Sequence, residues 1–482
     1  MRHNGLFAAI QVAWQTVALF AVYRLCAHAT NIAALGLWST SVAIMGLVAI
    51  SDAGLTEILV REVSRSVAMA DGPRLKGLVH TILKLVAVSI ALCATLAIFP
   101  ITLTVEHLSG VPEIIALKLV SATAIMAWLT IITVGVGGIL EGFSRYDLKA
   151  TAAVTGSSVS VAAAWLGSRF WPDVSLMVAL VCGAAANLTA MAVPATRLMN
   201  ALPGTPAQIM KSELREMIRM GTQARIGSLA NLGFDPIVRF LLLRYGGAET
   251  SGHYEIAYRL VMQIRSMLVA SIQVMVPRLV QMRALGTYDA ASTASALTLS
   301  TLRLASPALW ITLLGLPILS IIMVGQSLND ILAYGIMLAT AWLINLVAAP
   351  AYFSNFVEGS LRPNRQSHLA TVILAALLGL AGGLALGGLG VVAGTAIAII
   401  IGSIIILVSR RRDIEKRALV IYPSDLWILS VGLLTNIAGY FPSIWALHDN
   451  ATTAAHVFAT ITFLVLTTEH IRRIIGANLR LL

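Results

Sequence analysis

An all-α polytopic membrane protein of about fourteen transmembrane helices is the fold class this sequence predicts, and three observations predict it. The first is composition: 58% of the 482 residues are hydrophobic, only 11% are charged, and mean hydropathy is +0.86. A soluble domain carries about 25% charged residues, so a soluble globular enzyme and a disordered chain are both excluded. The second is spacing: apolar runs of the roughly 20 residues that a spanning helix needs recur from end to end. The third is the placement of Lys and Arg, which cluster on alternate connections.

The apolar runs define the elements in order. Six lie near residues 5–27, 37–60, 78–104, 114–140, 150–170 and 174–196. Six more lie near 219–245, 253–277, 294–324, 330–356, 367–386 and 389–409, and two near 425–447 and 453–471. The first run is long and preceded only by Arg2 and His3, so it reads as a span and not as a cleavable signal peptide. Cys26, Cys93 and Cys182 sit singly in apolar stretches, which suits neither a disulfide framework nor a zinc site.

Basic residues orient the spans. With a cytoplasmic N-terminus, the outward connections 28–36, 105–113, 171–173, 246–252, 325–329, 387–388 and 448–452 contain no Lys or Arg. The inward connections and the two termini carry 23 of the 33 basic residues. This bias accounts for the net charge of +11 without nucleic acid as a partner, and it requires an even number of spans. Twelve or fourteen satisfy it; fourteen matches the runs.

A repeat runs through this layout. Glu141-Gly142 with Arg145 closes the fourth span, and Glu358-Gly359 with Arg362 closes the tenth, 217 positions on. Gly36-Leu37-Trp38 opens the second span and Gly252-His253-Tyr254 opens the eighth, at an offset of 216. Six intervening spans preserve orientation, which predicts two parallel six-helix lobes. The expected organisation is an N-terminal lobe over 1–200, a cytoplasmic linker over 201–218 and a C-terminal lobe over 219–409. A basic hinge and two extra helices follow over 410–482.

Ten basic residues fall outside the topological pattern. Lys84, Lys118 and Arg169 lie near span ends, where long side chains reach the headgroups. Arg24, Arg225, Arg239, Arg244, Arg259, Arg265 and Arg303 are harder to place. A cation at mid-bilayer costs roughly 2.5–3.5 kcal/mol and persists where it faces a partner or a watered cavity. Asp235 and Arg239, and Glu255 and Arg259, stand four apart and share helix faces. Surplus cations beyond such pairs suit a phosphate-bearing cargo. Asp52-Ala53-Gly54, with Glu57 beyond it, interrupts the second span, and Asp235-Pro236 places a similar break in the seventh. Asp52 reads as a helix cap or, with Glu57, as an ion-binding group. Gln11, Gln15, Asn231, Gln263, Asn345 and Asn355 suit hydrogen bonds between helices or to sugar hydroxyls. The glycine-rich run 380–390 reads as a tight turn between close-packed helices and not as a phosphate loop. No nucleophile-elbow, zinc-protease or Walker motif is present, so no catalytic residue, metal or cofactor is expected.

Two stretches carry a family resemblance. Tyr23 to Arg65 reads YRLCAHATNIAALGLWSTSVAIMGLVAISDAGLTEILVREVSR, with an Arg ending the first helix, a Leu-Gly-aromatic turn, Asp-x-Gly-Leu and a closing Arg-Glu. Phe234-Asp-Pro-Ile-Val-Arg239 through Tyr245-Gly-Gly247, then Gly252-His-Tyr254 and Ala257-Tyr-Arg-Leu260, form the second. Both resemble the Wzx-type polysaccharide (O-antigen) flippases of the multidrug/oligosaccharidyl-lipid/polysaccharide exporter superfamily. Cys26-Ala27-His28 departs from the Gly-Pro-type turn common there.

The resemblance implies two lobes alternating access to a central cavity. It implies transport of a polyprenyl-pyrophosphate-linked oligosaccharide to the outer leaflet of the bacterial inner membrane, for O-antigen or exopolysaccharide synthesis. Lipids, a glycan polymerase and chain-length proteins are the implied partners. Arg24, Arg225, Arg239, Arg259, Arg265 and Arg303 become candidates to hold the cargo, and Asp52, Glu57, Asp235 and Glu255 candidates for proton or sodium coupling or gating. The rivals are a cation-coupled multidrug exporter of the same superfamily and a membrane glycan polymerase or ligase. The first span has no acidic residue, against the former, and no long outward connection exists to house the latter.

Overall fold

The computed structural model describes residues 2–52, 71–143, 145–273, 315–323, 329–358 and 360–409, with isolated positions between 59 and 69 and at 283 and 301. For residues 2–10, 50–52 and 220–231, among others, only the backbone is described. The expected ninth span lies mostly outside the described residues, as do the basic hinge and the last two spans.

Among the described residues the fold is helical, without a strand. The order is α1 Arg2–Ala29, α2 Ile32–Met45, a 3-10 turn Gly46–Asp52, α3 Gly72–Ser109, α4 Glu113–Gly142, α5 Tyr146–Phe170 and α6 Ser175–Asn200. Then come α7 Lys211–Gln273, α8 Asn329–Glu358 and α9 Arg362–Ser409. Seven segments among the described residues are long and apolar enough to cross a membrane. The helices coincide with the expected spans to within several residues.

Two glycines divide the longest helices. Gly247 (φ 80°, ψ −179°) splits α7, and Gly387 (φ 62°, ψ −142°) splits α9. Only glycine adopts such angles without steric cost. The turn in α7 at Gly247 falls within the expected connection 246–252, whereas the further break expected at Asp235-Pro236 is absent: the chain passes Pro236 with helical angles. Likewise α2 tightens from Gly46, eight residues before Gly54, into a 3-10 turn that ends at Asp52.

Unlike in a soluble protein, apolar side chains face outward as well as inward. On α3, Leu85, Val88, Leu92, Leu96, Phe99 and Leu103 form an exposed apolar stripe, while Leu75, Leu78, Ile82, Val86 and Ile90 are buried on the other side. The stripe is about 27 Å long at 1.5 Å per residue, close to the ~30 Å hydrocarbon core. Lipid is as apolar as these side chains, so helices are held together by close packing. Small residues supply it. Gly156 on α5 and Gly183 on α6 each leave no room for a Cβ against the other helix. In α9, Gly382 and Gly390 face each other backbone to backbone, and Gly394 lies against Leu378. The two arms of α9 thus form the tight antiparallel hairpin expected of the glycine-rich run.

The chain divides into two compact units, residues 1–252 and 253–482. In the first, α5 packs against α1 and α6, and α4 against α3 and α6. The expected linker lies within this unit, strapped to the start of α3. Lys76 Nζ donates to the carbonyls of Leu202 (2.8 Å) and Gly204 (2.9 Å), and Ala207 N–H donates to Pro73 O at 2.8 Å. In the second unit α8 packs against α9, with Ala348, Ala351 and Ile406 buried together.

The start of α2 crosses the start of the second arm of α7. A Cβ on Gly36 would strike the Ala248 carbonyl, and a Cβ on Gly252 would strike the Ile32 carbonyl. The offset of 216 that relates Gly36 to Gly252 also relates Ile32 to Ala248. Each glycine covers the backbone four residues before the other, a reciprocal two-fold contact. Gly36→Ala should therefore cost about 1–3 kcal/mol by overpacking and lower the melting temperature in detergent. Gly46→Ala, with no atom within 4 Å of the added methyl, should leave it unchanged or raised.

Candidate functional site

Within the first unit the charges are mostly tied down. Arg239 is 3% exposed, and its Nη1 donates to Ser39 Oγ at 2.8 Å, joining α7 to α2. The Ser39 hydroxyl donates to Gly36 O at 3.0 Å, so its oxygen is free to accept from the guanidinium. Asp235 is half-buried one turn before Arg239. Arg24 stands exposed on α1 beside buried Tyr23. Arg225 and Asp52 are placed by backbone alone, in α7 and at the end of the 3-10 turn. Glu57 and Arg303 lie outside the described residues.

A charge cluster that sequence reasoning does not single out sits at the start of α3. Arg74 Nη2 lies 2.6 Å from Glu213 Oε1 on α7 and 3.5 Å from Glu62 Oε2, whose side chain is buried. In the sequence Arg74 counts only as a topological cation. Nothing in the spacing of positions 62, 74 and 213 announces their meeting. Nearby, Lys149 pairs with Glu141 of the Glu-Gly-x-x-Arg motif, and Arg145 pairs with Asp147 at 2.9 Å in an exposed fork. At the opposite end of α5, Arg169 lies 4.2 Å over the Trp165 ring, as a headgroup-level cation does.

The second unit holds two arginines in contrasting settings. Glu255 is fully buried, and Arg259 Nε donates to its Oε1 at 2.6 Å, the pair expected from the four-residue spacing. Arg265, six positions later and half-buried, has no carboxylate partner among the described residues. Its Nε and Nη2 donate to Asn345 Oδ1 on α8 at 3.2 and 2.7 Å, and its guanidinium carbon lies 4.4 Å from the centre of the Trp342 ring. Trp342 and Asn345 share a helix face at a spacing of three. Further along, Asn355 Nδ2 donates to Asn364 Oδ1 (2.9 Å), and Tyr352 meets His368 edge-on. No group of three or more His, Cys, Asp or Glu among the described residues converges to hold a metal.

Seven apolar helical segments among the described residues make this a multi-pass membrane protein, and comparison with solved structures gives its fold. The chain is similar to a structure of the lipid II flippase MurJ in an inward closed conformation. The TM-score is 0.68 at 14% identity, covering 97% of this chain and 99% of that one. It is also similar to the inward-facing conformation of a multidrug resistance MATE family transporter of the MOP superfamily. There the TM-score is 0.64 at 15% identity, over 83% of this chain and 95% of that one. A structure of the MATE multidrug transporter DinF-BH gives 0.56 at 14% identity, with 85% and 94% covered. These likenesses establish the fold. No curated protein matches the chain in sequence. The chain belongs to the polysaccharide biosynthesis protein family, whose model matches residues 20–283.

The two kinds of arginine should behave differently. Ser39→Val removes the hydrogen bond that the buried Arg239 donates to α2, at a cost of about 1–3 kcal/mol. It should lower the thermal stability of the purified protein. Asn345→Ala, beside a half-buried guanidinium that water can reach, should lower it less.

Proposed function

We propose that the protein is a flippase that carries a polyprenyl-pyrophosphate-linked oligosaccharide from the cytoplasmic to the outer leaflet of the bacterial plasma membrane. Family membership supports a role in polysaccharide biosynthesis, and the fold supports transport by alternating access. The observation that carries the anionic cargo is Arg265, a cation inside an apolar helix bundle held, among the described residues, by an amide oxygen and an indole face. A charge so placed is costly unless an anion meets it. The positive-inside distribution favours both termini in the cytoplasm. Export of O-antigen or exopolysaccharide units, in company with a polymerase and chain-length proteins, completes the reading.

Within this reading Arg265 is the leading cargo contact, with Arg24 exposed on α1 as a second. Arg225 and Arg303 remain candidates by sequence position. Arg239 and Arg259 serve mainly to join and neutralise helices, since each is engaged by a neighbouring side chain. Asp52, Glu57, Asp235 and Glu255 are the candidate groups for coupling to a proton or sodium gradient. The MATE likeness favours one rival, a cation-coupled drug exporter. The absence of any Asp or Glu from α1, and an Arg265 with no carboxylate partner among the described residues, weigh against it.

Cells depleted of the protein should accumulate polyprenyl-pyrophosphate-linked saccharide that a membrane-impermeant glycan probe cannot reach. Re-expression should restore outward exposure and identify the cargo by mass. Normal amount and sidedness, with no redundant transporter, would favour the drug exporter. Arg265→Ala should cut export at least about tenfold at unchanged membrane abundance, the loss of a charge-assisted hydrogen bond worth about 1.5–3 kcal/mol.

A further inference from the structure

Arg265 is held by a chain of hydrogen bonds with only one consistent polarity. Asn345 Nδ2 donates to Ser403 Oγ at 3.1 Å, and the Ser403 hydroxyl donates to Ile399 O at 2.7 Å. With its proton spent on a carbonyl, Ser403 offers Asn345 only lone pairs. Asn345 must therefore present its NH2 group to Ser403 and its oxygen to Arg265. The guanidinium, which can only donate, demands the same orientation from the other side. Three helical segments thus fix one amide in one sense: α8 carries Asn345, the second arm of α9 carries Ser403, and the second arm of α7 carries Arg265.

The consequence lies in what is left over. A guanidinium has five N–H donors. Asn345 takes the Nε–Nη2 edge, and Trp342 covers a face. Among the described residues the Nη1–Nη2 edge is left, the bidentate fork that fits a carboxylate or a phosphate. A carboxylate at position 345 would hold the arginine in the same geometry and cancel its charge. An amide holds it and leaves the charge in place. We infer that Asn345 and Ser403 are positioning residues that aim Arg265 at an anionic group of the cargo. That group is its pyrophosphate or a sugar carboxylate, and the neutrality of Asn345 is what keeps the site receptive. This rests on Arg265 being the anion-binding group of the proposed function.

The test uses the full chain purified into nanodiscs. Two anionic probes, geranylgeranyl pyrophosphate and octyl glucuronide, are compared with the neutral geranylgeraniol and octyl glucoside. The wild type should bind one anionic probe at least about tenfold tighter than its neutral counterpart, and which one identifies the source of the charge. Asn345→Asp should lose that preference about tenfold or more while melting at the same or a higher temperature. Ser403→Ala, which removes the bond that anchors the far side of the amide, should lose about three- to tenfold, and Ser403→Thr, which keeps the hydroxyl, should stay within about twofold. Four results would overturn the inference: no anionic preference in the wild type, full preference in Asn345→Asp, equal binding by the two Ser403 variants, or affinity falling only in step with melting temperature.

The flippase reading fails separately. If Asn345→Asp exports glycan at the wild-type rate in cells, the positioning role falls and the flippase stands. If the binding pattern holds but depletion leaves lipid-linked glycan unaltered, the flippase falls and the positioning role stands.

Discussion

The hydrocarbon core of a bilayer offers no hydrogen bonds, and everything in this structure answers to that constraint. Backbone groups must be paired internally, so the spanning elements are helices. Hydroxyls within the spans fold back on the carbonyl of the preceding turn, as Thr81 does on Gly77, Thr102 on Ile98 and Thr395 on Val391. The breaks within α7 and α9 fall at glycines with positive φ, Gly247 and Gly387. Since burial against lipid gives little driving force, helices associate where they approach closest, at Gly36 with Gly252, Gly156 with Gly183 and Gly382 with Gly390.

The same constraint sorts the arginines. Where a cation serves only to join helices, an acceptor is supplied within the protein. Arg239 has Ser39, Arg259 has the buried Glu255, and Arg74 has two glutamates. Arg265 is held by the Asn345 amide oxygen and the Trp342 ring face, with no carboxylate beside it among the described residues. In the flippase reading proposed above, that leaves its charge for an anionic group of the cargo.

Much of the fold was legible in the sequence because membrane rules act locally. Length, hydropathy and the position of basic residues are properties of contiguous stretches, and they located α1 to α9. The turn at Gly387 and the Glu255–Arg259 pair were visible for the same reason, each depending on neighbours in the chain. The turn at Gly247 was legible too, within the expected connection 246–252, but the further break expected at Pro236 does not form, since lipid-embedded helices tolerate proline. The side-chain contacts between distant helices were not legible. Arg265 and Asn345 are 80 positions apart and Arg239 and Ser39 are 200 apart, so no spacing rule connects them. The Gly36–Gly252 crossing lies between: its repeat offset could be read, but not the reciprocal contact.

Selection of an anionic cargo by Arg265 is tested most directly by reconstitution. The full chain in proteoliposomes would be offered a fluorescent polyprenyl-pyrophosphate-linked saccharide and a matching polyprenyl saccharide without the pyrophosphate. Passage between leaflets would be followed by an impermeant quencher. The charged lipid should cross at least about tenfold faster, and raised salt should change this little because the site is partly shielded from solvent. Equal rates for the two lipids would contradict the account.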